Sequence, residues 1–376
     1  MGLSTSPAST GLYVHVPFCV KKCDYCDFYS LAGRESSRVP YVNALIKEAS
    51  IHAGQRFQTL YLGGGTPSFL GPRLLQELIG GLKEVLDFSE LTEATIEANP
   101  DSATPDFLRA ALGHGFDRVS IGVQSLSSAE LLSVGRVHNS EQAIAAVRNA
   151  LRLGFRSVSA DVIAGLPGQT GISLTSTVET LVAEGVHHLS LYCLSVEEGT
   201  PLATKIPEDL PSDDQQADLF QQASGFLARK GFSHYEISNF ARPGHECKHN
   251  LNYWRGGEYL GLGPAAASHL GGVRSTSVRD LDSYLADPTR EPEFTEQLDI
   301  TPKACEEAML RLRLLEEGLD TVIIVDKYGL QATGALLRRL DRMANEGKLE
   351  RRGSTYKLNP QRVLTSNPVF AEVLSP

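Results

Sequence analysis

Residues 11–30 read GLYVHVPFCVKKCDYCDFYS. The apolar run at 12–18 has the alternation and β-branched content of a strand. Directly after it stand Cys19, Cys23 and Cys26, spaced C-x3-C-x2-C. Thiolates gathered on a tight loop are the ligands that iron–sulfur clusters require. A structural zinc site closes with four protein ligands, and no second C-x2-C or H-x3-H pair lies nearby to supply the fourth. His15, on the strand itself, reads as a sheet residue. Three thiolates on a [4Fe–4S] cube leave one iron without a protein ligand, and a small molecule can chelate it there.

Working outward, the chain alternates strand and helix patterns. Strand-like runs at 12–18, 59–64, 93–100, 118–125, 157–165 and 187–195 are each followed by a helical pattern, the last at 212–231. Pro105 opens one helix and Gly154 stops another. The strands read as apolar on both faces, as in a parallel sheet covered by helices. Six such units are too few for a closed eightfold barrel and predict an α/β fold, a partial (β/α)6 TIM-like barrel. A doubly wound flat sheet is the alternative. Cys19, Gly63 to Thr66, Glu97, Gln124 and Asp161 fall at the C-terminal ends of strands, where such folds put their active sites.

Bulk properties exclude several classes. The 376 residues carry 41% apolar and 21% charged residues, with a net charge of −10. That balance repels phosphate backbones, so no nucleic acid partner is expected. Six cysteines are too sparse for a disulfide framework; Cys193, Cys247 and Cys305 read as small buried hydrophobes. No apolar run approaches the roughly 18 residues of a membrane span. The opening MGLSTSPAST lacks basic and apolar signal regions. Residues 1–10 read as a disordered leader and the compartment as cytoplasmic, with organellar targeting and peripheral membrane association left open.

The pattern changes after the barrel segment at 11–232. An extension at 233–295 holds a strand-like HYEISNFA, the stretch HNLNYWRGGEYLGLGPAAASHLGG and a linker rich in proline and charge. Residues 296–376 read as helix, short segment, helix and a hairpin turning at Gly353-Ser354, a winged-helix-like α+β domain. From residue 301 onward, 12 Lys and Arg stand against 10 Asp and Glu. That is too weak a charge for a DNA footprint.

C-x3-C-x2-C after a first strand resembles the signature of the radical S-adenosylmethionine (SAM) superfamily. The resemblance implies a [4Fe–4S] cluster on Cys19, Cys23 and Cys26, with SAM chelating the open iron; Tyr25, before the last cysteine, also fits. Further motifs narrow it: YLGGGTP with Gly64, Gly65 and Thr66, IEANP with Glu97, SIGVQS with Gln124, VGRVH with Arg136 and SADVIAGLPG with Asp161. Singly each is a turn, cap or salt-bridge residue; together their order is similar to the oxygen-independent coproporphyrinogen III oxidases and their HemW-like relatives. In that subgroup these residues, with Tyr13 and Ser195, fall at SAM-contacting positions.

Three features separate the chain from the oxidases. The cysteine motif continues to Phe28 where the oxidases have a fourth cysteine. Only 18 residues precede Cys19. The pattern H-N-x-x-Y-W at His249 to Trp254 resembles the HemW branch, whose members look like haem chaperones. The expectation is therefore a chaperone that binds haem as cargo for an unknown acceptor protein, with an unknown electron donor for the cluster. His249, Tyr253 and Trp254 are the haem contacts, an imidazole for the iron and flat rings for the macrocycle. His245, Cys247 and His269 are alternatives in the same stretch. Coproporphyrinogen III oxidase and another radical SAM enzyme, such as a methyltransferase, are the other functions kept open.

Overall fold

The structure is a computed structural model that describes residues 10–375. Of the expected leader only Thr10 falls within it, as the first residue of a strand; the rest lies outside the described residues. Six β-α units follow in order: β1 (Thr10–Val16) with α1 (Arg38–Ala49), β2 (Thr59–Gly64) with α2 (Gly71–Val85), β3 (Glu93–Ala98) with α3 (Pro105–Gly113), β4 (Arg118–Gln124) with α4 (Ser128–Ser133) and α5 (Ser140–Leu153), β5 (Ser157–Ala164) with α6 (Gly171–Glu184), and β6 (His188–Cys193) with α7 (Pro201–Thr204) and α8 (Asp213–Arg229). Side chains of Asn139, Thr170 and Ser212 cap α5, α6 and α8, each within a capping box. Gly154 and Gly185 end α5 and α6 in the left-handed conformation.

The strands do not bury apolar residues on both faces. One face of each is apolar: Leu12 and Val14 of β1, Leu60 and Leu62 of β2, and Val119 and Ile121 of β4 pack in the main core with helix residues such as Leu75, Leu78 and Val147. The opposite face is polar, with Tyr13 and His15, Tyr61, Thr95 and Glu97, Ser120, Asp161, and His188 and Ser190. Period-two alternation therefore sorts each strand into a helix-facing and an inward side. The inward side holds the chemistry.

The chain then extends this sheet at both edges. β7 (Ser233–Glu236) and β8 (Asn239–Ala241) form a hairpin beside β6, so HYEISNFA is two short strands rather than one. α9 (Lys248–Trp254) carries the chain under the barrel to the far edge. There β9 (Glu258–Leu262) pairs parallel with β1, a seventh parallel strand hidden in the glycine-rich stretch. β10 (Ala267–Leu270), β11 (Val273–Thr276) and β12 (Phe294–Glu296) follow antiparallel, with α10 (Leu281–Ala286) inserted before β12. The sheet order is β12-β11-β10-β9-β1-β2-β3-β4-β5-β6-β8-β7, open at both ends.

The last segment builds its own core. α11 (Ile300–Leu312), β13 (Leu319–Asp320), α12 (Thr321–Asn345), β14 (Leu349–Arg352), β15 (Thr355–Leu358) and α13 (Ser366–Leu374) enclose a second cluster that includes Leu312, Leu336, Leu340 and Phe370. The short segment between the two expected helices is itself helical. It is capped by Asp320 and set off from the rest of α12 at Gly329, whose φ is 80°. The hairpin turns at Gly353 and joins β13 in a three-stranded sheet. Arg313 lies 4.4 Å over the ring of Trp254, tying this domain to the barrel.

Candidate functional site

The cysteine loop leaves β1 and is pinned by backbone. Cys19 N–H donates to Leu31 and Leu31 N–H to Pro17; Asp24 N–H donates to Val134, and Leu202 N–H to Asp24. Tyr25 packs against a small apolar cluster that includes Val134, Ile163 and Leu202. A loop tied at so many points presents its thiols in a fixed arrangement. Cys19 Sγ lies 3.4 Å from Thr66 Oγ1, and Arg136 Nη1 donates to Cys23 Sγ at 3.4 Å. Burial pushes the Cys19 and Cys26 thiols up. Among the described residues no three His, Cys, Asp or Glu side chains converge as a mononuclear ion would require. The three thiols instead share one wall of a cavity of about 340 Å³.

The rest of that wall comes from the strand ends. Gly64 has φ 109°, and a Cβ there would lie 2.6 Å from His15 Cε1; at Gly65 it would lie 2.8 Å from the carbonyl oxygen of Phe18. Only glycine lets this backbone run so close behind the cysteine loop. Glu97 accepts from Tyr61 Oη at 2.7 Å and from Gly64 N–H at 3.2 Å. Burial, and then the negative charge of Asp161, raise the Glu97 carboxyl to about 7 against the pull of these two bonds. Asp161, also raised by burial, accepts from Ser120 Oγ at 2.9 Å. Gln124 ends β4 at φ 63°, beyond a register shift in the β4–β5 pairing. A left-handed non-glycine residue is strained backbone, of the kind that gathers at functional sites.

Arg136, just after α4, reaches in to donate to Asn99 Oδ1 at 2.9 Å and to the Gly122 carbonyl at 2.7 Å. Asn99 in turn donates to Thr66 Oγ1 at 2.9 Å. Asn99, Tyr61 and Ser120 were missed in the sequence. Asn99 was nonetheless visible at the end of IEANP, two positions past Glu97 and so on the same side of the chain. Every cluster and SAM residue named from the sequence lines this cavity except Tyr13. Cys193 lines it too and is exposed rather than buried, whereas Cys247 and Cys305 are buried.

Tyr13 lines a second, larger cavity of about 510 Å³; Asp27 and Phe28 border both. Tyr253, Trp254, Tyr259 and His269 line it as well. His249 does not. It is fully buried in α9, with Nδ1 2.8 Å from Thr59 Oγ1 and Nε2 2.7 Å from Tyr253 Oη, and stacked on Tyr61 at 5.2 Å. Its backbone N–H donates to the buried Glu93 at 3.1 Å. The motif that contains it plugs the bottom of the barrel, and burial holds its imidazole neutral, down at about 3. His245 stacks on His187, away from both cavities, and Cys247 lies sealed beside Glu93.

Residues 13–181 match the radical SAM superfamily. Proteins named "Heme chaperone HemW" are similar along the whole chain: that of Mycobacterium tuberculosis is 34% identical over 99% of this chain and 97% of its own length, and that of Bacillus subtilis 33% over 96% and 98%. The Escherichia coli protein of that name is 36% identical over 81% of this chain and 82% of its own. This chain belongs to the HemW family of the radical SAM superfamily. Its fold is that of the coproporphyrinogen III oxidase HemN from Escherichia coli, with a TM-score of 0.84 at 24% identity, covering 99% of this chain and 90% of that one. The superfamily implies SAM and a [4Fe–4S] cluster, and the donor set of this HemW-family chain fits them. Three thiols line the cavity, a guanidinium stands beside Cys23 to offset their charge, and the carboxylates of Glu97 and Asp161 line the same cavity. Among the described residues no helix is long and apolar enough to cross a membrane.

Proposed function

We propose that this chain is a haem chaperone that holds a [4Fe–4S] cluster on Cys19, Cys23 and Cys26, binds SAM in the smaller cavity, and carries haem in the larger one. The carrying observation is that the cavity lined by the three cysteines and a second, larger one share Asp27 and Phe28 as a common border. When bound, the cluster and SAM supply one-electron chemistry at the sulfonium. The chain's own residues orient the ligand. The backbone at Gly64 and Gly65 with Thr66 meets the amino acid end, and Glu97 accepts from the ribose hydroxyls. Gln124, Asp161 and Ser195 complete the wall around the nucleoside, and Arg136 balances thiolate charge. Tyr13 serves the larger cavity instead.

The relatives' name supports haem as cargo. So does the lining: flat rings from Tyr253, Trp254 and Tyr259 suit a macrocycle, and the guanidinium of Arg279 suits its carboxylates. Acting on a protein acceptor in the cytoplasm, with a separate electron donor, completes the reading.

Phe28 argues against oxidase activity. Its ring is 65% exposed at the shared border, while its backbone carbonyl is held by Lys22 Nζ at 2.9 Å. An exposed apolar side chain stands where the oxidases have a fourth cysteine. The test is anaerobic reconstitution with iron, sulfide and haem counted per chain, followed by incubation with SAM, dithionite and coproporphyrinogen. One cluster and one haem per chain with no protoporphyrinogen is the expected result. Protoporphyrinogen formation over many turnovers would establish the oxidase instead.

A further inference from the structure

We infer that the haem iron is bound by His269, on the wall of the larger cavity, and not by the histidine of the H-N-x-x-Y-W motif. The inference rests on the haem reading above and names the ligand within that site.

Tyr259 of β9 is the register partner of His269 on β10, which is the partner of Arg274 on β11. Neighbouring positions across strands share a face, so phenol, imidazole and guanidinium form one row, and all three line the cavity. Tyr253 meets Tyr259 edge to face at 4.6 Å and extends the aromatic wall. Ala265 and Ala267 line the cavity beside the row with small side chains. Ala265 holds φ 61°, a conformation disfavoured for any residue with a Cβ.

Two imidazoles line this cavity among the described residues, and their hydrogen bonds tell them apart. His15 has both nitrogens engaged, Nε2 with the Tyr29 carbonyl at 2.8 Å and Nδ1 with Tyr13 Oη at 3.0 Å. His269 interacts with the backbone of Gly257, and no further hydrogen bond engages its ring among the described residues. A ring with no more than one nitrogen engaged keeps a lone pair for a metal, as a ligating histidine requires. Burial also lowers the His269 pKa, which favours the neutral form that ligates. His249 offers neither a lone pair nor access, since both nitrogens are bonded and it is sealed under Tyr61. Arg279, which lines the cavity, donates to the Asp27 carbonyl at 3.2 Å and would offer a cation to a carboxylate arm.

The test uses the full-length, cluster-loaded protein titrated with ferric haem and, in parallel, with iron-free protoporphyrin IX. In His269→Ala, ferric haem should bind at least about tenfold more weakly, a loss of about 1.4 kcal/mol. Its Soret band and electron paramagnetic resonance signal should change, protoporphyrin affinity should not, and added imidazole should restore the wild-type spectrum. His269→Met should keep an iron ligand but with a different spectrum, which covers the case where the alanine variant fails to fold. Wild-type spectrum and affinity in either variant would overturn the assignment of His269 alone. Wild-type protein that takes up no haem would overturn the functional reading together with the ligand.

Discussion

Glu97 is the group whose replacement tests the smaller cavity most directly. In the native barrel its carboxyl titrates at about 7, raised by burial and by Asp161. Only the ionised form accepts from two ribose hydroxyls at once. SAM affinity should therefore fall about tenfold per pH unit below 7 and level off above 8, because binding is linked to loss of one proton. Glu97→Gln removes the charge and leaves a single accepting oxygen. Each hydrogen bond to a charged group is worth about 1.5–3 kcal/mol, so the loss of one and the weakening of the other predict on the order of a hundredfold weaker binding at pH 8. The difference between wild type and variant should shrink on acidification, from about a hundredfold at pH 8 to about tenfold at pH 6. Isothermal titration with SAM on reconstituted protein from pH 6 to 8.5 measures both curves. If wild-type affinity is flat over that range, or if the two curves run parallel, Glu97 does not hold the ribose as an ionised carboxylate.

Replacing Cys19, Cys23 or Cys26 singly by Ala should abolish the brown cluster absorbance and the bound iron and sulfide, which elemental counting on anaerobic protein checks. Gly65→Ala would put a Cβ 2.8 Å from the Phe18 carbonyl oxygen and 2.9 Å from that of Val16. Backbone there cannot yield cheaply, so a loss on the order of 2 kcal/mol of stability should come with failure to bind SAM, read by denaturation and titration. Glu48, on α1 beside the loop after β9, is raised to about 7 by burial although Tyr284 Oη and Gly263 N–H bond its Oε2. A raised folded-state value means that its contribution is full below the unfolded value and is lost as pH climbs through about 7. Glu48→Gln keeps an acceptor oxygen without the charge. It should gain roughly 2–3 kcal/mol over wild type at pH 8 and almost nothing at pH 4.5, read from urea denaturation at each pH.

The parallel core was legible because each strand is a short apolar run followed by a helix with its own start and stop signals. Leu12 to Val16, Pro105 and Gly154 behave as their patterns require, although the strand stops two residues short of Phe18. β9 was not legible. Its five residues, Glu258 to Leu262, include Gly261 and lie among Gly256, Gly257 and Gly263, so local propensity argues for loop and only pairing with β1 makes the strand. The hairpin of β7 and β8 was read as a single strand because its turn, Ile237-Ser238, contains neither glycine nor proline. The polar inner faces were misread for a related reason. Ser, Thr and Tyr are compatible with strands, and a residue such as Thr95 gives no sign in sequence of whether it meets a helix or a lumen.

The same contrast runs through the site. Cysteines at fixed spacing, glycines that must tolerate close backbone, and carboxylates at strand ends carry their chemistry in their identity and position. They could therefore be named before any coordinates, and they line one cavity. A histidine carries less. His249 and His269 stand 20 positions apart in the same glycine-rich stretch, and nothing local distinguishes them. What separates them is tertiary. α9 turns His249 under the barrel, where Thr59 and Tyr253 consume both nitrogens. Pairing of β10 between β9 and β11 places His269 in a row with Tyr259 and Arg274 on the cavity wall. Mutation of the motif histidine would break buried hydrogen bonds and could abolish haem uptake by loosening Tyr253, without that histidine ever touching iron. Loss of binding on mutation is therefore weaker support for a ligand than a changed iron spectrum, and His269→Ala with imidazole rescue separates the two roles where His249→Ala cannot.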